Sequence, residues 1–356
     1  MSSAILDDRQ AVLKIDPSGA LASAESIADQ VRQVWQERET IKISATTPIH
    51  NVVVAGMGGS ALGADLVKHL YKDELSVPLE ICKDYDLPAF VGQNTLVILS
   101  SYSGSTEETL SCAKQAQERG ALIAVIAAGG ELAKLAQDNN YPHFIINPKA
   151  NPSNQPRMAT AYNIMAMLIL LSKVGLLEFS EEDYQQILDV VNLSTQKYLL
   201  EVPQEQNQAK LLAYLCVERR PILVGAGFIE GALHIVTNQF NENAKIFADY
   251  KIIPEFNHHL LEGLTFPKSN PLNHFFVFFQ SSFYHPRTQR RIDLSREAVE
   301  KLDFETLTID LESDNKLMQV FELVVLGAFS NLYLAYLEGM DPCPIPTVDW
   351  FKDSLK

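Results

Sequence analysis

The chain has 356 residues, 47% of them apolar and 21% charged, an ordinary globular composition for two domains of about 150–200 residues each. A net charge of −15 argues against a general nucleic-acid surface or an anionic membrane partner, while leaving room for a small anion held by a local nest and one arginine. Cys82, Cys112, Cys216 and Cys343 show no C-x-x-C spacing, which speaks for a reducing cytosol and against a disulfide framework.

No signal-peptide pattern opens the chain, since residues 1–8 have no apolar core behind a basic start. The apolar run 164–171 is far short of the ~20 residues a membrane span needs and reads as a buried helix. A helix is predicted over 23–39, with Ile27, Val31, Val34 and Trp35 on one stripe. Residues 51–55 read as a strand, followed by Gly56-Met57-Gly58-Gly59-Ser60 and a helix carrying Leu62, Leu66, Val67 and Leu70 on one side. Strand, glycine-rich turn and helix form an arrangement that cradles phosphate. A dinucleotide fold wants G-x-G-x-x-G and an acidic residue about 20 positions on. Here the third glycine is displaced to Gly63, and Asp84 and Asp86 are weakly placed as ribose partners. A serine directly after the glycines suits a single phosphate or a sugar hydroxyl better.

Strand-like runs at 78–82, 95–99, 122–126 and 143–146 alternate with helical ones, a βαβ rhythm that implies a parallel sheet. In such sheets the ligand sits beyond the carboxyl ends of the strands. The run 95–99 feeds Ser101-Tyr102-Ser103-Gly104-Ser105-Thr106-Glu107-Glu108-Thr109, and a helix follows with Leu110, Ala113 and Ala116 at helical spacing. Ser105 and Glu108 have the S-x-x-E spacing of a capping box. Unpaired first-turn N–H groups, the helix dipole and added hydroxyl donors make this stretch an anion site, with a phosphate monoester as the expected anion. One such serine alone would read as a helix cap; two hydroxyl-bearing turns at strand ends shift the weighing toward a ligand.

Residues 148–156 look like a linker, and Arg157 precedes a long apolar helix at 160–177. Arg157 reads either as a surface arginine or as a fixed cation stiffened by Pro156. Helices at 181–200 and 204–216 look like a connector. The second half repeats the rhythm, with a strand at 221–224, the turn Gly225-Ala226-Gly227, a helix at 228–243, strands at 245–249, 275–279 and 306–309, and an apolar helix at 316–338 stopped by Gly339. Its glycine turn lacks the serine, so the two halves are expected to have different jobs.

Glu242, at the end of a helix, lies where the macrodipole opposes a negative charge. It reads as a solvated glutamate or as a proton-abstracting base. His258 and His259 beside Glu255 have no third ligand at regular spacing, so no metal is expected; one histidine reads as a general acid/base or as structural. In the closing helix, Lys352 shares a face with Val348, Phe351 and Leu355, and either snorkels to water or lies near a ligand.

Taken in order, Gly56-Met57-Gly58-Gly59-Ser60, the serine-rich stretch 101–109, Gln155-Pro156-Arg157, Asn241-Glu242-Asn243-Ala244-Lys245, Pro254-Glu255-Phe256-Asn257-His258 and Gly339-Met340-Asp341-Pro342 resemble the bifunctional phosphoglucose/phosphomannose isomerases, which are built of two sugar isomerase (SIS) domains. The resemblance covers the chain from about residue 50 to its end, and the N-E-N-A-K and N-H stretches are its specific part. It implies an α/β fold of two flavodoxin-like three-layer α/β/α SIS domains with parallel sheets. The expected division is 1–155 for the first domain with its leading helix, 156–216 for a helical connector, and 217–356 for the second domain with its closing helix. The implied reaction is a reversible, cofactor-free aldose–ketose isomerisation between glucose or mannose 6-phosphate and fructose 6-phosphate, through a cis-enediolate. By matching position, Ser60, Ser101, Ser103 and Thr106 bind the phosphate, beside the backbone of Gly58 and Gly59. Glu242 is then the base, Arg157 steadies the enediolate, and His258 and Lys352 assist ring opening. A cytoplasmic homodimer is implied, with His258 given across the interface, a hexose 6-phosphate as its ligand, and no nucleic-acid or membrane partner. Where the family continues N-H-N-E, this chain has His259-Leu260, losing a nearby carboxylate. The alternative function is a non-catalytic SIS regulator that binds sugar phosphate, which needs the serine loops but neither Glu242 nor His258. An amidotransferase-type isomerase would need a glutaminase domain with an N-terminal cysteine, and the chain has neither.

Overall fold

The computed structural model describes residues 3–43 and 47–355. Among them, β1 (Asn51–Ala55), β2 (Leu79–Cys82), β3 (Thr95–Ser101), β4 (Leu122–Ala127) and β5 (His143–Ile145) form one parallel sheet in the order β2-β1-β3-β4-β5. A second parallel sheet, β7-β6-β8-β9, is built from β6 (Arg220–Ala226), β7 (Asp249–Ile253), β8 (His274–Gln280) and β9 (Thr306–Asp310). The first order is that of flavodoxin-like sheets, and flanking helices complete the α/β architecture expected from the sequence. β1 and β3 are buried almost throughout because both faces are covered, which explains their unbroken Val/Ile/Leu runs.

Helix α1 (Ile27–Glu37) turns Ile27, Val31 and Val34 inward, and Trp35 stacks on Tyr184 of α5 (Glu181–Tyr198) with ring centroids 4.5 Å apart. The single helix expected over 23–39 is broken at Ser26. The Ser26 hydroxyl donates to the carbonyl of Ala22 (2.7 Å) and ends a short helix, Ala20–Glu25, so that α1 starts afresh. Between the sheets, α2 (Gly59–Leu70) packs against α4 (Thr160–Lys173) and α6 (Glu230–Asn243), and α6 packs in turn on α8 (Lys316–Leu337). The α2–α6 crossing is tight. A Cβ on Gly231 would lie 2.3 Å from the Cα of Leu66, so only glycine admits this approach.

Helix α8 is held at its start by Asn315, whose side chain accepts from the N–H of Met318 (2.9 Å). At its end Gly339 lies at φ +69°, while the N–H groups of Gly339 and Met340 return to the carbonyls of Tyr336 and Ala335, a Schellman motif. The helix is long and apolar enough to cross a membrane, but 94% of its apolar window is buried inside the protein, the position of a core helix.

Two other expectations change. The strand expected at 245–249 begins only at Asp249. Residues 245–248 form a turn that the Asn241 side chain closes by bonding both the N–H and the carbonyl of Ala248 (3.3 and 3.1 Å). The linker-like run 148–156 is packed in place: Asn151 and Ser153 are buried, and Ser153 bonds Ser23 (2.9 Å). Short polar side chains that satisfy neighbouring backbone explain both departures.

Candidate active site

The hydroxyl stretch sits at the carboxyl end of β3, between β1 and β4, and leads into α3 (Glu107–Glu118). β3 runs two residues further than expected, so Ser101 is its last residue and is buried. The N-cap of α3 is Thr106, not Ser105, and the expected capping box does not form. Thr106 turns its hydroxyl to that of Ser101 instead (2.8 Å), and the Ser103 hydroxyl lies 3.5 Å from the same oxygen. The three hydroxyls therefore cluster, and the first-turn N–H groups of α3 have no side-chain cap, the arrangement that receives an oxyanion. Gly104 makes the turn possible: at φ +71°, a Cβ there would lie 1.8 Å from the carbonyl oxygen of Gly129.

The glycine turn is joined to this loop directly. Ser60 Oγ accepts from the N–H of Tyr102 (2.9 Å), and its own O–H remains to be donated. The Ser60 carbonyl accepts from Ser100 (2.7 Å) and from Asn163 of α4 (3.1 Å). Gly58 lies at φ +49° with open space around it, so its backbone can be approached. Gly59 abuts the next part of the site, since a Cβ there would sit 3.3 Å from the backbone nitrogen of Arg157.

Arg157 is 1% exposed and far from a surface arginine. Its Nε donates to Asn243 Oδ1, one Nη to Gln155 (2.9 Å) and Glu242 (3.2 Å), and the other Nη to the carbonyls of Pro342 (2.9 Å) and Cys343 (2.8 Å). Five N–H groups meet five acceptors, which a lysine cannot do. Burial lowers the pKa of the guanidinium, and Glu242 partly restores it. Glu242 is the penultimate residue of α6, where the helix dipole opposes it, and the ion pair to Arg157 compensates. Its side chain stays 32% exposed, so one face is open to a ligand.

Sequence reasoning missed the frame behind this pair. Asn243 Nδ2 donates to Asn331 Oδ1 (2.7 Å), Asn331 to Gln239 Oε1 (3.4 Å), and Gln239 to the Arg157 carbonyl (3.0 Å), closing a buried ring. Its signal was present as lone polar residues inside the apolar helices α6 and α8. Lys245 was missed as well: its ammonium donates to the Pro342 carbonyl (2.6 Å) that also receives Arg157. Loss of water and then the charge of Arg157 lower the Lys245 pKa.

His258 and Lys352 are not brought to this group. His258 is exposed on α7 (Phe256–Gly263), and its side chain makes no hydrogen bond or ion pair among the described residues. Lys352 is exposed on α9 (Pro346–Ser354), whose apolar stripe of Val348, Phe351 and Leu355 is open to solvent. His259 lies 3.6 Å from Glu255 at the surface. Among the described residues, one group of ligand-type atoms lies together, those of Asp16, Asp341 and Cys343. The Asp16 carboxylate there is already taken by the N–H groups of Ala20 and Leu21 and by Tyr336, so it serves as a cap.

Residues 47–173 match the SIS-domain family model, and residues 205–355 match that of the bacterial phospho-glucose isomerase C-terminal SIS domain. The chain is 31% identical over 339 residues to a bifunctional phosphoglucose/phosphomannose isomerase of Caldicellulosiruptor bescii, covering 94% of this chain and 98% of that one. A protein of the same name from Aquifex aeolicus is 28% identical over 311 residues, covering 87% and 92%. Among solved structures, a hypothetical protein of Thermus thermophilus superposes with a TM-score of 0.76 over 99% of this chain and 93% of its own, at 15% identity, a likeness of fold alone.

Proposed function

Because this chain belongs to the bifunctional phosphoglucose/phosphomannose isomerase family, we propose that it interconverts glucose 6-phosphate and mannose 6-phosphate with fructose 6-phosphate at the Arg157–Glu242 site. The observation that carries the reading is this ion pair, of a buried arginine with a partly open glutamate, set against the glycine turn, which Ser60 ties to the hydroxyl loop. Ser60, Ser101, Ser103 and Thr106, with the backbone at Gly58 and Gly59, hold the phosphate and fix the sugar's orientation far from the reacting carbons. Glu242 takes the proton from C2 and returns it at C1. Arg157 faces the negative charge that develops on the enediolate, offering the Nη that now points to Gln155 and Glu242. Glucose and mannose 6-phosphates differ at C2 and share one enediolate, so a site that removes the C2 proton from either epimer serves both. The four cysteines are free thiols, in keeping with a reducing, cytoplasmic setting.

The test is a coupled assay of EDTA-treated protein supplied with fructose 6-phosphate, with glucose 6-phosphate and mannose 6-phosphate read separately. Both products are expected. If the chain binds the sugar phosphate and forms neither, the reading gives way to that of a sensor.

His258 and Lys352 complete the site from a second copy in this proposal. The exposed position of His258 supports it, as does the uncovered apolar stripe of α9, where Trp350 is 67% exposed. Mixing inactive His258→Ala and Glu242→Gln chains is expected to restore activity, because one site in each mixed dimer then holds both native residues. A mixture that stays inactive after subunit exchange overturns the shared site.

A further inference from the structure

The second sheet carries a cavity of about 290 Å³ at the topological position that the hydroxyl loop occupies in the first. In the first sheet the chain runs from β1 to β2 on one side and returns as β3 on the other; in the second, β6, β7 and β8 repeat the move. Ligands of such sheets bind outside the carboxyl ends of the strands at this reversal. The cavity opens there, lined by Gly227 after β6 and by the loop after β8, with Lys72, Asp73, His285, Thr288 and Lys316 around it.

Its parts correspond to those of the active site. Gly227 lies at φ +57° and Gly58 at φ +49°, and neither has an atom within 4 Å of a built Cβ. Ser101 ends β3, Ser103 lies in the loop after it, and Thr106 stands at the start of the helix that follows. The loop after β8 carries Ser281 and Ser282, and Thr288 stands in the first turn of the helix that follows β8, Pro286–Glu300, where it lines the cavity. A basic residue marks the start of each long apolar helix, Arg157 before α4 and Lys316 opening α8. Each pocket also takes an acidic residue from the C-terminal end of the other sheet's first helix, Glu242 from α6 and Asp73 just beyond α2. The two helices cross at Gly231 and Leu66, so the pockets are related by the packing of α2 on α6.

The chemistry differs in a way that separates binding from turnover. Among the described residues, Lys72, Asp73 and Lys316 form no ion pair, and no guanidinium stands beside Asp73 as Arg157 stands beside Glu242. The Lys316 ammonium lies 5.8 Å from the centre of the Phe228 ring, over the apolar floor of the cavity. His285 Nδ1 accepts from the N–H of Arg287 (3.1 Å), which puts the ring proton on Nε2 as a donor. Two ammonium groups, a hydroxyl and an imidazole N–H match a phosphate, and Asp73 matches the hydroxyls of a polyol. We infer that this cavity is a second binding site of the same chain for a phosphorylated sugar, one that holds its ligand without isomerising it.

Equilibrium dialysis of the full chain against fructose 6-phosphate tests the inference, with bound organic phosphate counted so that conversion of the ligand does not alter the result. Two ligands per chain are expected. The Lys72→Ala/Lys316→Ala variant is expected to bind one and to keep its isomerase turnover. Lys316→Glu alone, at a half-exposed position, is expected to give the same drop, which frees the result from the folding of the double variant. Ser101→Ala/Thr106→Val is expected to keep the second ligand and lose the first. A single ligand per chain in the parent, or two that survive both lysine changes, overturns the inference. The count does not depend on whether the chain isomerises its ligand, so failure here is distinct from failure of the proposed reaction.

Discussion

Glu242→Gln is expected to bind fructose 6-phosphate nearly as the parent does and to turn it over roughly 10²–10⁴-fold more slowly, the scale of a general base. Glutamine matches glutamate in shape and keeps an oxygen for the Arg157 Nη that now lies 3.2 Å from Glu242, so the frame around the guanidinium stays in place. What is removed is the ability to accept a proton at C2. The loss should appear in kcat with little change in KM, since the phosphate site we propose is the hydroxyl loop and not Glu242. Exchange of solvent deuterium into the sugar should fall in parallel. Turnover within about tenfold of the parent excludes Glu242 as the base.

Arg157→Lys is expected to lower kcat/KM by roughly 10²–10³-fold, the scale seen when a preorganised donor to a developing oxyanion is lost. The charge survives in this variant, and the geometry does not. An ammonium has three donors, while Asn243, Gln155, Glu242 and the carbonyls of Pro342 and Cys343 present five acceptors around the guanidinium. At least two acceptors lose their partner, and the turn at 341–343, held also by Lys245, loosens on one side. A catalytic role and a purely structural one separate in the readout. If Arg157 acts on the enediolate, Arg157→Lys keeps its affinity for inorganic phosphate while turnover falls. Equal losses of phosphate affinity and turnover would show that the arginine only props the loop.

Much of this molecule was legible before its structure. The strand runs, the two glycine turns and the hydroxyl stretch came from patterns a few residues long, and β1, β3, β4, β6 and β8 lie where those patterns put them. The misplacements are informative because each has a local side-chain cause. Thr106 takes the N-cap position in place of Ser105 and bonds Ser101 so that no capping box forms, Asn241 closes the turn that delays β7, and Ser26 splits the leading helix. A propensity reading counts such residues as neutral or favourable, because it does not know which nearby backbone group they will reach.

What the sequence determined by itself is the strands of both sheets and most of their flanking helices, though not the helices at 256–263 and 286–300, together with the clustering of hydroxyls after β3. Both depend on periodicity, turn chemistry and unpaired N–H groups that act within one helical turn. The tertiary structure alone decided which side chains meet. Arg157 is paired with a carboxylate 85 residues away and with a carbonyl 186 residues away, and it is enclosed by Asn331 and Gln239 from helices whose apolar pattern announced only a core. Those partners are chosen by the close packing of α2, α6 and α8, where a buried guanidinium must find an acceptor for every N–H or be left uncompensated. No local pattern records that requirement, since it arises only when distant segments exclude water from the same place.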